Sequence, residues 1–153
     1  MFKKNILKDY LSEKELDEIS SVIGEIEKKT SGELKLCIKR KRGYLEDDFT
    51  SRELALNEFF NLKIHETADK TGILFFLIME ERKFEIIADE GIYSKVSQND
   101  WDELAEEMKT KFSENQYSEG LINSIRKAGE ILIREFPVKD GDVNELSDKV
   151  VVK

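Results

Sequence analysis

The sequence predicts an α/β fold: a three-layer α/β/α sandwich with a small mixed β-sheet and helices on both faces. Three observations carry this. Residues 12–30 and 118–136 repeat apolar side chains at spacings of three and four, the mark of amphipathic helices. Residues 72–79, GILFFLIM, are a continuous apolar run of strand length, as expected of a strand covered on both sides. Residues 84–88, FEIIA, follow after a connection so short that the two strands must form a hairpin.

Taken in order, the first helix begins at Ser12, whose spacing to Glu15 makes a capping box. Leu16, Ile19, Ile23 and Ile26 form its stripe, and TSG stops it. Residues 33–40, ELKLCIKR, alternate, with Leu34, Leu36 and Ile38 on one side and Glu33, Lys35, Cys37 and Lys39 on the other. That predicts a strand with one better-buried face. The basic KRKRGY at 39–44 reads as a solvated loop, or as a contact for an anionic partner. Residues 47–62 predict a second helix with Asp47 or Asp48 at its start, where the helix dipole favours acids. HETADKT is a polar loop. Residues 99–112 predict a third helix capped by Asn99, and 118–136 a fourth ended by Pro137. The tail after Pro137 carries only weak signal.

The chain of 153 residues suits a single domain with a proper core, here 12–153 after an N-terminal segment 1–11. Its 38% charged residues imply amphipathic elements with heavily charged outer faces. A net charge of −8 disfavours nucleic acid as a partner and favours cations. One cysteine, Cys37, excludes an internal disulfide and reads as an inert core thiol. The N-terminus lacks a signal-peptide core, and no window approaches the ~20 apolar residues of a membrane span. The expectation is a soluble cytoplasmic protein, without membrane contact.

The predicted topology brings three loops to one edge. Two strands joined through a helix run parallel by a right-handed crossover. The third returns antiparallel and leaves the sheet where the first two enter. TSGE (30–33), ADKTG (68–72) and ADEG (88–91) therefore meet, with Thr30, Ser31, Glu33, Asp69, Lys70, Thr71, Asp89 and Glu90 among them. Acids and hydroxyls together are the hard oxygen ligands that Ca²⁺ or Mg²⁺ requires. Each loop taken alone reads better as an ordinary surface turn, and only the combination brings a site level with it.

Other sites fare worse. Asp140, Asp142 and Asn144 alternate like the start of a calcium loop. The EF-hand pattern then needs Gly and Glu where Glu145 and Val151 stand. His65 is the one histidine, so a multi-histidine zinc site and a Cys/His cluster are excluded, and it reads as a solvated loop residue. No G-x-S-x-G elbow and no phosphate-cradling glycine loop occur. Trp101 reads as packing.

At TSGELKL, TGILFFLIMEERKFEIIADEGI and GDVNELSDKVV, over about Leu11 to Val151, the sequence resembles the TPM domain family. Some members of that family are thylakoid-lumen proteins linked to photosystem II repair. Phe136-Pro137, followed by Asn144-Glu145-Leu146, adds to the likeness. The resemblance implies an α/β/α sandwich, divalent-cation binding and, in some plant members, acid phosphatase activity. Bacterial relatives often carry a signal peptide and a C-terminal membrane helix, so this chain resembles the stand-alone type. Many secreted members place a Gly-Tyr-Gly-Leu-Glu-like block after the third strand. Here Asp89-Glu90-Gly91-Ile92 stands instead, which alters the ligand set.

The expected metal ligands are Asp89, Glu90, Asp69 and Glu33, with Ser31 and Thr71 as further contributors and Lys70 placed to pair with a phosphate. The cofactor expected is Ca²⁺ or Mg²⁺, and the substrate, if there is one, a phosphate monoester. The alternative is a non-catalytic interaction module that docks a protein partner through its acidic surface or its basic loop. Without a histidine cluster or a reactive thiol, binding stands ahead of catalysis.

Overall fold

The computed structural model describes residues 7–139 and 146–153. Its helices are α1 (Glu13–Glu27), α2 (Ser51–Asn61), α3 (Glu90–Tyr93), α4 (Gln98–Ser113) and α5 (Tyr117–Glu135). Its strands are β1 (Glu33–Lys39), β2 (Gly72–Ile78), β3 (Lys83–Ala88) and β4 (Val151–Val152). Asp140, Asp142 and Asn144 lie outside the described residues.

The sheet has the order β3-β2-β1-β4. β1 and β2 are parallel, with Glu33 beside Gly72, and β3 returns antiparallel, with Ala88 beside Ile73. The α/β/α sandwich is therefore as predicted. On one face α1, α4 and α5 cover Leu34, Leu36, Ile38, Ile73, Phe75 and Leu77. On the other, Leu54, Ala55 and Phe59 of α2, with Ile64, cover Cys37, Leu74, Phe76 and Ile78. Trp101 is fully buried in the first layer. Leu7 and Leu11 are buried in it too, so the stretch just before α1 packs with the domain.

The capping box of α1 is present, with Ser12 and Glu15 exchanging bonds of 2.9 and 3.1 Å. β1 departs from expectation because it is buried on both faces, Glu33 and Lys35 included. The tail and α2 are the reason: Leu146 and Ser147 engage Glu33 and Lys35, and α2 covers Cys37. The tail also adds β4 as a parallel strand beside Cys37 and Ile38, turning β1 from an edge into a central strand. α2 starts at Ser51, later than its acids suggested, because Thr50 and Glu53 form a capping box there. Residues 44–46 form a separate 3₁₀ turn. α4 begins after Ser97, whose side chain makes no capping bond, rather than at Asn99. His65 is half-buried in a 3₁₀ turn, its ring 4.9 Å from that of Phe60, and is not a solvated loop residue.

Candidate functional site

The three loops do meet. The Glu33 N–H donates to Thr71 O at 3.0 Å, the Asp89 N–H to Gly72 O at 3.0 Å, and the Gly91 N–H to Lys70 O at 2.8 Å. The Thr71 hydroxyl reaches Ser31 O at 3.3 Å. Gly91 is required by the closeness of this approach. A Cβ there would run into the chain carbonyl oxygens of both Asp69 and Lys70.

The ADEG turn is the start of a helix. Asp89 caps the single turn of α3, its Oδ1 accepting the Glu90 N–H at 2.8 Å. Its Oδ2 is shut off from solvent and accepts no hydrogen bond. Glu90 stands exposed in the first turn of α3. Asp69 is exposed on the neighbouring loop, 3.7 Å from the Lys139 ammonium. Lys70 has a left-handed backbone, φ 57°, and its ammonium donates to His65 O at 2.6 Å.

The remaining residues brace the fold. Glu33 is buried, and its carboxylate accepts the N–H of Leu146 from the tail. Ser31 donates to Phe136 O, and the Thr30 hydroxyl to Leu132 O and Phe136 O, which ties β1 to the end of α5. Among the described residues no three His, Cys, Asp or Glu side chains gather closely enough to hold a metal ion on side chains alone. Asp69, Asp89 and Glu90 share the edge, whereas Glu33 turns toward the tail.

A second polar assembly escaped the sequence reading. Asp148 of the tail lies against Glu27 at the end of α1. Glu27 Oε2 accepts the Leu34 N–H at 2.7 Å, while Oε1 is out of solvent and meets no N–H or hydroxyl donor. Burial first, and then the hydrogen bond to Asp148, push the Glu27 carboxyl up to about 10, so it carries a proton that Asp148 accepts. Lys35 donates to Ser147 O at 2.9 Å and Ser20 to Asp148 O at 2.8 Å. Burial pushes the Lys35 ammonium down, opposed by its acidic neighbours. Only Glu27, an acid one step beyond the last apolar residue of the α1 stripe, hinted at this in the sequence. Its acidic partner, Asp148, comes from the tail, more than a hundred residues away.

Glu58 is buried as well, held by the Lys153 ammonium at 2.9 and 3.0 Å. Burial, then the nearby Glu58 charge, raise the Cys37 thiol to about 12, so it is the inert core thiol that its flanks predicted. Among the described residues no helix is long and apolar enough to cross a membrane.

Comparison with known proteins agrees with this architecture. The TPM domain profile matches residues 5–131. The solved structure of the BA42 protein from the psychrophilic bacterium Bizionia argentinensis is similar at 30% identity and a TM-score of 0.83, covering 94% of this chain and 96% of that one. The N-terminal domain of a P. gingivalis protein shares the fold, at 15% identity and a TM-score of 0.69, over 83% of this chain and 79% of that one. No curated protein matches the sequence. The converging loops, the sandwich they cap and a profile match over most of the length place this chain in the TPM domain family.

Proposed function

We propose that the chain binds a divalent cation, Ca²⁺ or Mg²⁺, where the three loops meet. Asp89 is the principal ligand in this reading, with Asp69 and Glu90 beside it. The observation that supports it best is Asp89 Oδ2, a carboxylate oxygen out of solvent with no donor. Such an oxygen is costly unless a positive group meets it. The carbonyls of Asp69 and Lys70, packed against Gly91, and the oxygens of Ser31 and Thr71 are hard donors of the type these ions take. Because the carboxylates are few, a bound ion would draw on chain carbonyls and water as well. Glu33 joins the set only if the tail releases it.

Phosphate-ester hydrolysis is the finer form of this reading, since a bound divalent ion polarises phosphate oxygens. Binding takes precedence over it. Lys70, the residue suited to hold a phosphate, is engaged with the His65 carbonyl, and the Cys37 thiol is buried.

The test is a titration of the metal-free chain with Ca²⁺ and Mg²⁺ followed by amide NMR. Saturable shifts confined to residues 30–33, 68–72 and 88–91, lost in Asp89→Asn, are expected. Absence of saturation in the wild type would overturn the reading. Hydrolysis of an aryl phosphate, dependent on added metal and abolished by Asp89→Asn, would extend it to catalysis.

A further inference from the structure

We propose that the outer face of α2 and the loop leading into it dock a cationic amphipathic helix of a partner protein. Seven large hydrophobic side chains are exposed among the described residues, and five of them fall within 44–60. They are Tyr44, Leu45, Phe49, Leu56 and Phe60, exposed by 86, 75, 43, 40 and 55%. Clustering in so short a segment distinguishes them from the scattered apolar residues any surface carries.

The helix itself explains the exposure. α2 is apolar on two sides: Leu54, Ala55 and Phe59 face the sheet, while Leu56 and Phe60 face away. A helix apolar on both sides is normally covered on both. Among the described residues α1, α3, α4 and α5 all contribute to the first face of the sheet, whereas α2 is the one α-helix packed on the second. The loop before α2 is held in place rather than loose. The Arg42 guanidinium bonds Glu81 at 2.6 and 2.9 Å and reaches the carbonyls of Glu46, Asp47 and Phe49. A surface already ordered loses less entropy when it binds.

Charge selects the occupant. Of the five acids in residues 44–61, Glu46 is paired with Lys39 and Glu58 is buried against Lys153, which leaves Asp47, Asp48 and Glu53 to face a partner. Asp47, Asp48 and Glu53 stand exposed in the same segment as the apolar side chains. A second copy would set these acids against their own counterparts. An anionic bilayer would find few basic groups to hold it, because Lys39, Arg40 and Arg42 are paired with Glu46, Glu80 and Glu81. A helix with an apolar stripe flanked by Lys and Arg matches both the apolar side chains and these acids. The 11 residues of α2 extend about 16 Å, so the partner needs apolar residues over roughly three turns, at i, i+4 and i+7.

The experiment titrates the isotope-labelled full chain with an amphipathic Leu/Lys helical peptide of roughly 18 residues. A scrambled peptide of the same composition is the control. Saturable 1:1 shifts confined to 44–61 are expected, with affinity at least about fivefold weaker for the scrambled peptide. The Leu56→Ser/Phe60→Ser variant should weaken binding about tenfold. Asp47→Asn/Asp48→Asn should weaken it severalfold and flatten its salt dependence. All four side chains are exposed, so both variants should keep the wild-type circular dichroism spectrum. Shifts spread evenly over the acidic surface, equal binding of both peptides, or no saturation up to about 1 mM would overturn the proposal. So would shifts at 44–61 that follow protein concentration alone, which would assign the surface to a second copy, or binding to anionic vesicles without peptide binding.

Discussion

Asp148 meets Glu27 carboxyl to carboxyl where the tail crosses the end of α1. Two acids can share so buried a place only if one holds a proton, and the deeper environment of Glu27 makes it the donor. Its folded-state value lies above the ordinary carboxylate range, so the chain takes up a proton on folding. The stability tied to that proton is fully present below about pH 4.5 and is lost as pH rises toward about 10. Stability measured by urea melts should therefore fall between pH 5 and pH 9. Glu27→Gln supplies an amide that donates to Asp148 and accepts from Leu34 without needing a proton. It should flatten that slope and exceed the wild type by about 1 kcal/mol or more at pH 8. An unchanged slope would show that the pair does not govern it.

Asp89 does two things that one substitution can separate. Asn keeps a side-chain oxygen for the Glu90 N–H and so keeps the helix cap, but removes the charge. Asp89→Asn should leave thermal stability within about 0.5 kcal/mol of the wild type and abolish cation binding. Asp89→Ala should abolish binding and also cost about 1 kcal/mol. Parallel melts and Ca²⁺ titrations of the two variants check this.

Gly91 permits the contact between the 68–72 and 88–91 loops. A methyl group there meets chain carbonyls, which cannot swing aside as a side-chain tip can. Gly91→Ala should destabilise by roughly 1–3 kcal/mol. It should also shift the amides of Asp69 through Gly72, beyond the mutated loop. A melt identical to the wild type would show that the loops can part at little cost.

Arg42 holds the loop between β1 and α2 through a forked contact with Glu81 and three chain carbonyls. Lysine has the charge but not the fork. Arg42→Lys should speed amide exchange through residues 43–50 while leaving β1 protected. Equal exchange rates in the two proteins would count against the fork as the organiser of the loop.

Much of this was legible in the sequence. Apolar period and capping chemistry determined β2, β3 and α5 to within a residue, and α1 except that it ends three residues early. The hairpin and one right-handed crossover then sufficed to bring Asp69, Asp89 and Glu90 to a common edge. Local chemistry also marked Cys37 as inert and Trp101 as a packing residue. What the residues could not convey was the course of the tail. Its weak local signal gave no sign that β4 would pair with β1, that Leu146 would claim Glu33, or that Asp148 would settle on Glu27. Those contacts join groups more than a hundred positions apart, and their energies depend on burial that exists only once the layers have closed. Periodicity and capping act within a few residues and can be read from a string. Desolvation and long-range pairing belong to the assembled sandwich, and there the tertiary structure alone decided which carboxylates brace the fold and which remain open to a ligand.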